Sequence, residues 1–191
     1  MLRIVNLEEI QNQLLQIPVI VELGERGDFG FVSSVKRWLI QMEQILKNNK
    51  LCVSANVAGL RAMVISAELG TIPVGINFKG RVTKRKVREA VASQSITSAV
   101  DIVSDRIGKD IERIEDAERI TRQLISIAKR KGLIAELPRG NNFSDALKSI
   151  WKSMSADPVL VQGLTSVEGL VGPHDALILL DRAIVADKEK N

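Results

Sequence analysis

The sequence predicts a mainly α protein: a single-domain orthogonal or up-down helical bundle around a buried central helix, with at most a short β-hairpin. Three observations lead there. Hydrophobic residues make up 45% of the 191 positions but aromatics only 3%, and tyrosine is missing, so the core has to be aliphatic. Apolar residues recur at three- and four-residue spacing through most of the chain. The stretch from Leu51 to Phe78 carries only two charges, Arg61 and Glu68. Within it Ser54 suits an N-cap and Gly70 a stop. Ala55 to Leu69 presents Ala, Val, Leu, Met and Ile on nearly every side. A helix that is apolar all round must be covered all round, so Ser54–Leu69 is expected at the centre. Arg61 in its middle, and its short length, exclude a membrane span.

In chain order, Leu7, Ile10, Leu14 and Ile17 follow helical spacing, with Asn6 as cap. Pro18 interrupts, and the β-branched Val19-Ile20-Val21 suits a short strand or a second helical turn. Gly24, Gly27 and Gly30 mark a flexible loop over 24–30. Val35, Trp38, Leu39, Met42, Ile45 and Leu46 then form one face of a helix ending at Asn48-Asn49. After the central helix, Pro73, Gly75 and Gly80 argue against helix. The alternation of Val74, Ile76 and Phe78 allows an extended hairpin. Strand is expected only within 1–5, 18–23 and 72–82.

From Thr83 to about Lys131 the pattern is helical again. Val87, Val91, Ala99, Val100, Val103 and Ile107 make one stripe; Ile111, Ile114, Ala117, Ile120, Leu124 and Ile127 make the next. Gly108 followed by Asp110 reads as a C-cap and an N-cap, so a helical hairpin is preferred over one unbroken helix. Phe143, Leu147, Ile150, Trp151 and Met154 give the clearest amphipathic helix. Asp157-Pro158 suits a helix start, Thr165 to Glu168 a capping box, and Gly172-Pro173 the opening of a last helix with a frayed tail at 187–191. One domain covers 1–191.

A net charge of +4 leaves nucleic acid open as a partner without implying it. The single cysteine, Cys52, allows no internal disulfide and reads as core filler. No signal-peptide pattern and no membrane segment are seen, and a cytoplasmic protein is expected.

The strongest functional segment is Lys79 to Arg88. Lys79, Arg81, Lys84, Arg85, Lys86 and Arg88 put six cations in ten residues with no acid among them. Cations at a helix start oppose the macrodipole, and phosphates would relieve that. Arg119, Arg122, Lys129, Arg130 and Lys131 form a second set, which a hairpin would bring to the same edge. Glu112, Glu115, Asp116 and Glu118 offset part of it. The scarcity of aromatics counts against single-strand binding by base stacking.

Arg61 is a candidate ligand anchor. Inside a buried helix it needs a partner or a route to water, and Asp101 or Asp105 are candidate partners, with Glu68 on the same face. His174, the only histidine, reads as a surface residue. No catalytic residue, cofactor or metal is assigned. Asp101 and Asp105 lie one turn apart but lack the histidines of a carboxylate metal site. The Gly24, Gly27, Gly30 spacing is not a dinucleotide fingerprint.

The leading expectation is a non-enzymatic interaction or assembly subunit whose basic edge meets DNA or RNA phosphates. Self-association or a protein partner is expected because the stripe over 87–127 exceeds what a short chain covers. Two alternatives stand beside it. One is a small-molecule-binding protein or enzyme with a pocket near Arg61; the other is an adaptor that binds only protein.

Overall fold

The computed structural model describes residues 1–71, 83–134 and 143–188. They form eight α-helices: α1 (Ile4–Leu14), α2 (Ile17–Glu25), α3 (Phe31–Asn48), α4 (Ser54–Glu68), α5 (Lys84–Arg130), α6 (Phe143–Ser155), α7 (Val161–Val171) and α8 (Pro173–Lys188). The protein is mainly α, and no strand occurs among the described residues. Residues 18–23 are helical: Pro18 sits in the first turn of α2, where a missing N–H costs nothing. The hairpin expected within 72–82 lies outside the described residues. The chain divides into two compact units, one of Leu2 and Ile4–Gly108, the other of Met1, Arg3 and Lys109–Asn191.

In the N-terminal unit α3 packs against α1, α2 and α4. Its buried face is Phe31, Val35, Trp38, Leu39, Met42 and Leu46. Trp38 is fully buried, and its indole Nε1–H donates to the Gln13 carbonyl at 2.7 Å. That carbonyl lies in the last turn of α1 and also accepts the Gln16 N–H at 3.3 Å, so the indole donor is satisfied by a helix-end acceptor.

Helix α4 forms where the sequence placed it and stops as expected. Gly70 takes φ 94°, and the Thr71 N–H returns to the Ser66 carbonyl at 2.9 Å. This glycine cap uses a conformation that L side chains avoid. The helix is not enclosed, however. Only Val57, Val64 and Ala67 are buried, while Ala55, Asn56, Gly59 and Ala62 face solvent. Leu60, Met63 and Ile65 are only half-buried, Leu69 just past the helix is exposed, and the remaining apolar positions are small alanines, whose exposure costs little. Cys52 is exposed rather than core filler. The expected flexible loop at 24–30 is partly the last turn of α2 and partly a hydrogen-bonded turn, with the Asp28 N–H on the Leu23 carbonyl at 2.9 Å.

Helix α5 runs unbroken for 47 residues, so the expected hairpin is replaced by a single helix. Gly108 is helical, with nothing within 4 Å of where a Cβ would sit. Asp110 is no N-cap; its carboxylate accepts from Arg113 Nη2 at 2.9 Å. Arg113 also donates to the Leu170 carbonyl in the last turn of α7. The apolar stripe is continuous and mostly buried, including Val87, Val91, Ala99, Val103, Ile107, Ile114, Ala117 and Leu124. The chain itself covers these residues, which removes the ground on which self-association was expected.

In the C-terminal unit α6, α7 and α8 pack on one another. Leu147, Ile150 and Met154 are buried, and Trp151 is half-buried with its Nε1–H on Glu168 at 2.8 Å. Asp157 precedes α7 by a turn, its Oδ1 accepting the Val159 N–H at 2.8 Å. Thr165 and Ser166 lie inside α7 and are not caps. Their hydroxyls bond back to the Val161 and Gln162 carbonyls at 2.9 Å each. Gly163 of α7 lies against α5: a Cβ there would stand 2.7 Å from Leu124 Cδ2.

Two substitutions test this architecture. Gly108→Ala should stabilise the protein by about 0.5–1 kcal/mol in urea unfolding, as expected for a helix interior; a hairpin turn at Gly108 would give a loss. Leu147→Ala should cost roughly 2–5 kcal/mol by the same measurement.

Candidate functional site

Of the first basic set, Lys79 and Arg81 lie outside the described residues. Lys84, Arg85, Lys86 and Arg88 occupy the start of α5, where the Thr83 hydroxyl accepts the Lys86 N–H at 3.3 Å. Helical spacing sends them in different directions. Lys84 and Lys86 are exposed, with no ion pair among the described residues. Arg85 turns toward the α2–α3 turn. Its Nε donates to Glu89 at 2.6 Å and its Nη2 to the Gly27 carbonyl at 2.5 Å. Its guanidinium also lies 4.1 Å from the centroid of the Phe29 ring. Arg88 Nη2 donates to the Glu68 carbonyl at 2.9 Å, satisfying an acceptor in the last turn of α4.

These residues line a cleft of about 350 Å³, bounded by Asp28, Phe29, Val32, Ser33, Glu68, Arg85, Arg88 and Glu89. The charges are largely engaged. Glu89 pairs with Arg85, and Glu68 pairs with Lys36 at 2.6 Å. Asp28 Oδ1 accepts the Gly30 N–H at 2.6 Å, closing the turn that carries Phe29. Arg88 has no carboxylate partner among the described residues, and its Nε is buried without an acceptor. Phe29 is 86% exposed.

The second basic set is neutralised locally. Arg119 pairs with Asp116 at 2.7 Å and Arg122 with Glu118 at 2.9 Å, each within one helical turn. Lys131 holds Asp157 at 2.6 Å, and Lys129 is also engaged. Arg130 is exposed, its Nε 3.4 Å from the Ser126 carbonyl. Helix α5 is continuous between the two sets, so the helical hairpin on which the expected shared edge rested is absent.

Arg61 has a partner that the sequence reading missed. Its Nε donates to Glu43 on α3 at 2.8 Å, with both side chains about a quarter to a third exposed. Asp101 and Asp105 are exposed on α5. The cleft at Arg85 and Arg88 is not lined by Arg61. His174 is exposed at the start of α8.

Sequence reasoning missed Phe29, Asp28 and Glu89 as neighbours of the basic segment. Only the Arg85–Glu89 spacing was visible in one dimension; Phe29 meets Arg85 from a distant part of the chain. Among the described residues no helix is long and apolar enough to cross a membrane. Comparison with family models, with curated proteins and with solved structures finds no match.

The hydrogen bond from Lys131, with that from the Val159 N–H, holds the Asp157 carboxyl below its ordinary value. A lowered folded value stabilises the protein at neutral pH, and the contribution disappears as pH falls through it. Lys131→Met should therefore lower the melting temperature at neutral pH. The gap to the native chain should close as pH falls below about 4, read by thermal melts across pH.

Proposed function

We propose that the chain is a non-enzymatic interaction subunit that meets nucleic-acid phosphates through the start of α5. The supporting observation is the state of Lys84 and Lys86. Both are exposed and unpaired among the described residues, whereas in the second set Arg119, Arg122 and Lys131 are tied to carboxylates and Lys129 and Arg130 are otherwise engaged. Lysines in a first helical turn lie against the positive end of the macrodipole. A phosphate there meets both the ammonium groups and the free N–H groups of the turn. Releasing the counterions of the nucleic acid adds a salt-dependent gain. This narrows the expected interface from eleven cations to the 79–88 segment.

A second reading rests on the cleft. Its volume falls at the low end of small-molecule sites. A ligand-binding protein is then centred on Arg85 and Arg88 rather than on Arg61.

Fluorescence anisotropy of labelled oligonucleotides at low and moderate salt tests the first reading. The expected result is binding that weakens steeply with salt. Replacing both Lys84 and Lys86 with glutamate should abolish it while the melting temperature stays nearly unchanged. Absence of binding at low salt would sink the proposal.

A further inference from the structure

We propose that Phe29 is a stacking platform for an unpaired base, so that the nucleic acid taken by this unit is single-stranded. This rests on the phosphate reading of the α5 start and adds the form of the partner.

The platform is built rather than incidental. Gly27 takes φ 65° and ends α2, which turns the chain sharply before Phe29. Asp28 closes the turn through the Gly30 N–H at 2.6 Å. Arg85 then fixes it from α5, donating to the Gly27 carbonyl and lying over one face of the ring. Glu89 holds Arg85 in place at 2.6 Å. One ring face is covered by a guanidinium; with the side chain 86% exposed, the other is open to solvent. An aromatic ring held open beside cations is what sequence-tolerant base stacking uses, and an arginine on the far face strengthens it. Preorganisation lowers the cost of binding, because the turn has little left to order.

The surroundings fit a base better than a second phosphate. Beside the ring the cleft offers a carboxylate acceptor on Asp28 and cationic donors on Arg88. Base edges present donors and acceptors together, whereas a phosphate presents only acceptors. The strand's phosphates are left for Lys84 and Lys86, which flank Arg85 in the sequence and are exposed. A duplex keeps its bases stacked and paired, so it cannot use the platform without unstacking.

The test is anisotropy of short labelled oligonucleotides of mixed sequence, single-stranded and duplex, on the full chain and two variants. Phe29→Ala should weaken single-strand binding roughly 5-fold or more, leave duplex binding unmoved and leave the melting temperature unchanged. Phe29→Trp should retain binding, and its indole emission should be quenched by the single strand beyond any change in the native chain. Equal binding of both forms, untouched by Phe29→Ala, would overturn the platform and leave the phosphate reading standing. No binding of either form at low salt would overturn both. Loss of duplex and single-strand binding together in Phe29→Ala would overturn stacking and make the turn a support for Arg85.

Discussion

The structure depends on one constraint, that the buried stripe of α5 continues without interruption. A 47-residue helix leaves no free N–H or C=O groups in its interior, so no cap or connecting loop has to be accommodated there. A glycine at 108 costs about 1 kcal/mol against alanine. Breaking the helix would expose backbone groups and apolar surface on both sides of it. Polar residues enter the stripe only where they are answered. The Thr121 hydroxyl bonds to the Ala117 carbonyl at 2.7 Å, and Asp110 is met by Arg113. Ser95 is the exception, a buried hydroxyl with no acceptor among the described residues.

Much of this was legible in the sequence. The stripes of α3 and α6 gave their helices and most of their buried residues, because large aliphatic side chains at helical spacing have only one face to hide. The end of α4 followed from Gly70. The burial of α4 was misread because residues were counted as apolar by type alone: its alanines and glycine bring little area to bury, and Leu60, Met63 and Ile65 are only half-buried. The hairpin was misread because Gly108 and Asp110 were given their meaning at helix ends. Inside a helix glycine is merely tolerated, and the stripe running through it was the stronger signal. Residues 18–23 show the reverse case, in which β-branched side chains take helical form once proline sits at the first turn.

The candidate site was half legible. A run of cations can be seen in one dimension, but the carboxylates that hold some of them cannot all be. Asp116 with Arg119 and Glu118 with Arg122 were within one turn, so their neutralisation could have been read from spacing. Lys131 with Asp157 and Arg61 with Glu43 required the fold. The same holds for Phe29, where a turn ending one helix is pinned by the first turn of another. Among the described residues, what looks in the sequence like a single block of charge is two exposed lysines and two arginines anchored on main-chain carbonyls beside the cleft.

The close approach at Gly163 bears on how the chain can change over time. Leu124 fills the space where any side chain at 163 would begin, while nothing lies within 4 Å of the corresponding points at Gly59 and Gly169. The glycines are therefore unequal in the variation they permit. Positions 59 and 169 can drift among helix-forming residues with little consequence. A side chain at 163 requires Leu124 to move aside or shrink, so the room at one position is set by the other.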